Sequence, residues 1–188
     1  MYQLNIVNVV ATANLRQQVD LLMISELPDT TYDQKIYGGR VAYLKTPEMY
    51  GKVTIFPSGK LISVGTKSPE QAQQDLERTV KTLVTGGLTN PVEVGAELRN
   101  IIAVQHLEKP VDLGSLSIFT YGIYEPEQFP GLILRQENPK VTYLIFSSGK
   151  VVIAGSKSLD ELELATKHLH KRISIYFVFS QQVRSAQK

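Results

Sequence analysis

Two asparagines, Asn8 and Asn100, interrupt apolar, strand-like stretches, Ile6 to Ala13 and the region around Ile101 to Gln105. An amide in such a strand needs a hydrogen-bonding partner, either nearby backbone or a ligand. Phe56 and Phe146 recur downstream, each followed by Ser-Gly-Lys, at Ser58 to Lys60 and Ser148 to Lys150. Amides, aromatic rings and ammonium groups can hold a ligand, but they do not form a bond-making set. The three histidines are His106, His168 and His170, and the last two, two positions apart, fall on different helix faces. There is no Gly-x-Gly-x-x-Gly, no phosphate-binding loop and no His-Glu-x-x-His. Paired carboxylates occur only in one exposed loop and on helices. The chain has no cysteine, which removes disulfides and thiolate metal sites and favours an intracellular home. These residues point to binding without a cofactor or metal, and an enzyme is not expected.

The elements that position them come in two copies. Asn8 recurs as Asn100, Val19-Asp20-Leu21 as Val111-Asp112-Leu113, Tyr32 as Tyr124 and Pro47 as Pro139, each 92 positions later. From Phe56 and Phe146 onward the offset is 90, through Gly65 and Gly155 to Lys67-Ser68 and Lys157-Ser158. A two-residue insertion between Pro47 and Phe56 accounts for the change and would lengthen that hairpin. The expected organisation is a first repeat at 1–87, a linker at 88–96, a second repeat at 97–179 and a tail at 180–188. Two copies imply pseudo-two-fold symmetry, and duplex DNA is a common ligand with that symmetry.

Bulk properties narrow the field. Hydrophobic residues are 43% and charged residues 20%, which is ordinary for a soluble globular chain. No apolar run approaches membrane-spanning length, and Met1-Tyr2-Gln3 leads straight into a strand-like pattern without room for a signal peptide. A net charge of +2 is too small to advertise a polyanion partner by itself, so a grip on DNA must rest on more than phosphate neutralisation.

Each copy reads as strand, short helix, four strands, long helix. Asp20 and Asp112 suit helix N-caps, because a carboxylate accepts from an orphan amide of the first turn. The first short helix should end near Pro28. Lys52 to Phe56 and Lys60 to Val64 form one hairpin; Lys140 to Phe146 and Lys150 to Ala154 form its counterpart. Ser68-Pro69-Glu70-Gln71 and Ser158-Leu159-Asp160-Glu161 are capping-box patterns opening long helices. Ala72, Leu76, Val80 and Leu83 share one helical face, and Gly86-Gly87 stops the first long helix. The layout is α+β, with helices on one face of an antiparallel sheet. Yet Val7, Val9 and Ala11 alternate with Ile6, Val10 and Thr12, so the strands are apolar on both faces. The second face is then either an interaction surface or buried on another sheet or a second copy.

Tyr124-Glu-Pro-Glu-Gln-Phe-Pro-Gly-Leu132 and Leu144-Ile-Phe-Ser-Ser-Gly-Lys-Val-Val152 closely resemble the second repeat of the TATA-box-binding protein family. Asn8-Val-Val-Ala-Thr12, Ile55-Phe-Pro-Ser-Gly-Lys60 and Gly65-Thr-Lys-Ser68 more loosely resemble its first repeat. The likeness covers about residues 4 to 175. It implies two pseudo-symmetric repeats forming a saddle: a ten-stranded antiparallel sheet whose concave face meets DNA, with four helices on the convex face. It also implies a general transcription initiation factor. Such a factor binds and bends A·T-rich TATA-box promoter DNA through the minor groove, and it recruits transcription factor B and RNA polymerase.

The same resemblance assigns roles. Phe129 and Phe146 match the second repeat's two wedges, which pry open a base step. In the first repeat Phe56 matches one wedge and Tyr37 replaces the other. Asn8 and Asn100 match the central asparagines, whose amides donate to adenine N3 or thymine O2. Val10, Ile62, Ile102, Leu144 and Val152 would lie on the groove floor. Lys60, Lys150 and Arg135, with Ser58 and Ser148, would meet phosphates. Glu125 and Glu127 match the loop that docks transcription factor B; their first-repeat counterparts are Asp33 and Lys35, an asymmetry able to orient the complex.

The departures are specific. Val64 and Ala154 stand where the family usually has threonines, so two hydroxyl donors to DNA are missing. Thr54 stands opposite Leu144 in the repeat, and Tyr43 is expected at the position of Arg135. Losing two hydrogen bonds costs on the order of 1 kcal/mol each, which predicts A·T-rich binding that is weaker or less discriminating than usual. The rival reading is a divergent interaction module that binds transcription factor B with little grip on DNA. The free chain could also pair with itself through the apolar sheet face. The location implied is the cytoplasm, at the nucleoid, in an archaeon, or the nucleus in a eukaryote.

Overall fold

The computed structural model describes residues 4–186. It divides into two compact units, Ile6–Asn100 and the chain from Ile101 onward together with the first few residues. In the first unit the strands are β1 (Asn5–Asn14), β2 (Thr30–Tyr32), β3 (Ala42–Leu44), β4 (Lys52–Ile55) and β5 (Lys60–Thr66). They pair antiparallel in the order β2-β3-β4-β5-β1, and α1 (Leu21–Ser25) and α2 (Pro69–Thr85) pack against them. β6 (Glu97–His106) leads into the second unit, which holds α3 (Leu113–Thr120), β7 (Leu132–Glu137), β8 (Lys140–Ile145), β9 (Lys150–Ser156) and α4 (Leu159–Ala186). There the antiparallel order is β7-β8-β9-β6.

The helix starts follow from their caps. The Asp20 carboxylate accepts from Leu22 N at 2.9 Å, and Asp112 accepts from Ser115 N at 3.2 Å. Ser68 Oγ accepts from Gln71 N at 3.2 Å while Gln71 Oε1 reaches back to Lys67 N at 2.8 Å. The second copy repeats this with Ser158, Glu161 and Lys157 at 3.1 and 2.7 Å. Two amides per helix end are thereby satisfied reciprocally. The first short helix ends at Ser25, three residues ahead of Pro28.

One face of α2 buries Ala72, Leu76, Val80 and Leu83 against the sheet. Burying a leucine this fully stabilises by roughly 1.5–3 kcal/mol. Gly86 and Gly87 stop the helix: Gly87 N donates to Val84 O and Leu88 N to Leu83 O, the paired bonds of a Schellman end. At the corresponding place in α4, Tyr176 and Phe177 continue the helix, and Tyr176 stacks on Phe119 at 5.7 Å. α4 therefore runs to Ala186, and the expected tail at 180–188 is helical over its described part.

Nine strands are formed among the described residues where ten were expected. The second-unit counterpart of β2 shrinks to a single bridge, Ile123 to Ile133. In β2, Thr30 Oγ1 lies 2.7 Å from Leu27 O and 3.0 Å from Ile24 O, tying the strand to α1. Its counterpart is Gly122, which has no side chain to make that tie and weakens the strand.

The strand register also moves the insertion. Tyr43 pairs with Thr54 as Ile133 pairs with Leu144, and Ala42 pairs with Ile55 as Leu132 pairs with Ile145. The offset is therefore already 90 at β3. The burial alternation from 41 to 60 recurs at 131 to 150, save that Lys52 is exposed where Thr142 is half-buried. The two extra residues lie between Tyr32 and Val41, and the β3–β4 hairpin is as long as the β7–β8 one. Pro47 and Pro139 are not counterparts.

Candidate nucleic-acid interface

Alternation along the strands sorts each sheet into two faces. Val9, Ala11, Leu44, Val53, Ile55 and Leu61 point to the helices and are buried. The residues between them point away and are only half-buried: Asn8 and Val10 on β1, Tyr43 on β3, Thr54 on β4, and Ile62 and Val64 on β5. One row crosses the first unit through the pairs Tyr43–Thr54, Thr54–Ile62 and Ile62–Thr12. The second unit repeats it as Ile133–Leu144, Leu144–Val152 and Val152–Val104, with Ile102–Ala154 and Ala154–Thr142 beside it. Ile102, Leu144, Val152 and Ala154 are likewise half-buried. Each unit thus keeps an apolar sheet face without a covering helix.

Asn8 is held on this face by backbone. Gly65 N donates to Asn8 Oδ1 at 2.8 Å. With the oxygen occupied, the amide nitrogen and its two hydrogens are the outward end. Asn100 occupies the matching position in β6, half-buried between Arg99 and Ile101 in sequence.

The tips of the β4–β5 and β8–β9 hairpins are built identically. Phe56 N donates to Lys60 O at 3.0 Å, and Phe146 N donates to Lys150 O at 2.9 Å. Gly59 and Gly149 adopt φ of +81° and +86°, and a Cβ at Gly59 would stand 2.0 Å from Gln17 O. Only glycine fits such a turn against neighbouring backbone. The turn puts Phe56 and Phe146 at the end of the outward row and leaves Lys60 and Lys150 exposed beside them. Ser58 and Ser148 are exposed at the same tips.

The two units differ at that end. In the second, Phe129 packs edge-to-face on Phe146, with ring centroids 5.8 Å apart. Gly131 makes room for the pair: a Cβ there would come within 2.7 Å of Phe129 Cε1. In the first unit the place of Gly131 is taken by Val41, and Tyr37 stands 72% exposed without a ring contact to Phe56. A cleft of about 750 Å³ opens there, lined by Tyr37, Arg40, Tyr43, Thr54, Phe56 and Ile62 among others.

Comparison with known proteins accounts for this repeated face. The family model described as "Transcription factor TFIID (or TATA-binding protein, TBP)" matches residues 3–85 and 96–176. The chain belongs to the TATA-binding protein family. It is 39% identical over 170 residues to a TATA-box-binding protein of Cenarchaeum symbiosum, covering 90% of this chain and 93% of that one. It is 36% identical over 177 residues to the one of Archaeoglobus fulgidus, covering 92% and 95%. The solved structure of Methanococcus jannaschii TBP superposes with a TM-score of 0.82 at 31% identity, covering 92% of this chain and 98% of that one.

The register corrects one family correspondence. With Tyr43 opposite Thr54, the counterpart of Arg135 is Lys45, not Tyr43, and both are exposed. A cation is therefore present at this position in both repeats. The Lys45 ammonium also donates to Met49 O across its own hairpin. Sequence reasoning passed over several residues of the outward face: Ile133 and Val104, which alternate in register with Leu144 and Val152, and Lys52, whose Nζ sits 4.2 Å over the Tyr43 ring. Strict period-two counting along each strand was the available signal.

Glu125 and Glu127 are exposed on a tight turn, where Gln128 N and Phe129 N both donate to Glu125 O at 2.9 Å. Of their first-repeat counterparts, Asp33 Oδ1 accepts from Lys35 N at 2.7 Å. Among the described residues no group of histidine, cysteine and carboxylate side chains is arranged to hold a metal, and no helix is long and apolar enough to cross a membrane.

Proposed function

We propose that the chain is a general transcription initiation factor that binds A·T-rich promoter DNA through the minor groove, bends it and carries transcription factor B. The observation that carries this reading is the outward, apolar face present in each unit, with Asn8 on β1 presenting donors from the first. Apolar side chains lie flat against A·T edges and are obstructed by the guanine amino group. Phe129 and Phe146 act as wedges in the second unit, and Phe56 with Tyr37 in the first. Lys60, Lys150, Arg135 and Lys45 hold phosphates at the rims.

The exposed carboxylates of Glu125 and Glu127 sit beside the second-unit wedge, where DNA contact disfavours them and a basic protein partner suits them. Asp33 and Lys35 make the first-unit loop different, which gives the bound factor a direction. In the absence of DNA the uncovered faces suit a second copy.

Fluorescence anisotropy on a short A·T-rich duplex and a G·C duplex of equal length tests the first part. A preference for A·T of about tenfold or more is expected. Equal affinity for both duplexes rejects minor-groove readout. For the second part, E125A/E127A should not weaken binary DNA affinity and should abolish the shift to a ternary complex with transcription factor B.

A further inference from the structure

The two outward rows are not chemically equal. At positions matched by register the second unit presents Ile133 and Leu144, both apolar, and the first unit presents Tyr43 and Thr54, both hydroxylated; Tyr37, with a third hydroxyl, stands in the loop that corresponds to the one holding Phe129. Among the described residues none of these three hydroxyls makes a hydrogen bond. Thr54 is the most telling, because it lies mid-row between Tyr43 and Ile62 and lines the 750 Å³ cleft. A half-buried hydroxyl without a partner in the chain, set between the Tyr43 and Ile62 positions, is placed to meet something from outside the chain.

We infer that Thr54 makes the first-unit half of the DNA site tolerant of a G·C pair that the second-unit half excludes. This rests on the promoter-binding reading above. In the minor groove A·T and T·A pairs show only acceptors, while G·C adds the guanine N2 amino donor. Leu144 offers that donor no acceptor, so a guanine beneath it is desolvated and unpaired. A threonine hydroxyl rotates. It accepts from guanine N2 or donates to adenine N3 and thymine O2, so it serves both kinds of pair. It is also smaller than leucine, and the open cleft beside it leaves space for the amino group. Tyr43 and Tyr37 extend the same polar character toward the wedge.

The test uses the full chain and an A·T-rich duplex in which single pairs are replaced by G·C, one at a time. Orientation is read by hydroxyl-radical cleavage from an iron chelate on a single introduced thiol, K35C, since the chain has no cysteine of its own. Replacements beneath the first unit should weaken binding by no more than about threefold, and those beneath the second by about tenfold or more. T54V keeps the shape but removes the hydroxyl, and it should raise the first-half penalty to that of the second half. L144T should bring tolerance into the second half. Equal penalties in both halves of the wild type, or an unchanged ratio in T54V, overturns the inference while A·T binding stands. Absence of binding to every duplex overturns the promoter-binding reading itself and this inference with it.

Discussion

Gly65 donates its backbone N–H to Asn8 Oδ1 at 2.8 Å, and this one bond decides which end of the Asn8 amide meets a ligand. A carboxylate would accept the same bond. N8D should therefore keep the fold and its thermal midpoint but lose both outward donors and add a charge that repels phosphate. A·T-duplex affinity should fall about tenfold or more, the scale of one lost base contact. Anisotropy paired with a thermal melt checks this. Unchanged affinity would mean that Asn8 serves only to hold the Gly65 amide beside β1.

The second-unit wedge depends on a missing side chain. G131A places a methyl 2.7 Å from Phe129 Cε1 and 3.2 Å from Phe146 Cε1. Phe129 can give way by rotating, so stability should drop modestly, by about 1–3 kcal/mol for overpacking. Bending at that end should suffer far more than binding. Separate dye pairs at the two ends of a duplex would resolve the asymmetric loss.

Few cations line the proposed DNA rims. With Lys60, Lys150, Arg135 and Lys45 on phosphates, the plot of log affinity against log salt should have a slope of roughly −4. K60A should make it shallower by about one unit and weaken all duplexes alike. A slope near −10 would point to a basic surface that this account omits.

Asp75 shows what holds the β3–β4 hairpin under the outward row. It is fully buried on α2 and accepts from Gly51 N at 2.7 Å and Tyr50 N at 3.0 Å. D75A strands the buried Gly51 amide and unpairs the part-buried Tyr50 amide, which should cost about 1–3 kcal/mol. Chemical denaturation should show a lower midpoint with unchanged slope. The counterpart in α4 is Ala165, whose carbonyl lies 2.9 Å from the Tyr143 hydroxyl, so the repeats solve one packing problem with different residues. Burial pushes that phenol's pKa up, keeping it protonated and available as a donor.

The repeat, both aspartate caps and both capping boxes were readable because each rests on spacing in the sequence, while the outward position of Asn8, Ile62, Leu144 and Val152 was legible only through the family resemblance. The place of the insertion was not. Pro47 and Pro139 sit 92 apart by coincidence, and only the pairing of Tyr43 with Thr54 fixes the offset at 90 in β3. That pairing is a relation between two strands, with no trace in either strand alone. The loss of the tenth strand turned on Gly122 in place of Thr30, a single side chain whose bonds to α1 are invisible in a pattern. The length of α4 turned on Tyr176 and Phe177 replacing a glycine stop, which the sequence did display. The cleft at Tyr37 needed the backbone, where three successive residues, Tyr37, Gly38 and Gly39, take positive φ.

The most direct test of the central claim is end-labelled energy transfer on a short A·T-rich duplex, comparing wild type with F129A/F146A. Wild type should raise transfer strongly on this duplex and leave a G·C duplex unchanged. The double substitution should abolish most of that rise while the protein still melts cooperatively. A wild-type chain that leaves transfer unchanged on the A·T-rich duplex, with transcription factor B absent and present, contradicts the account.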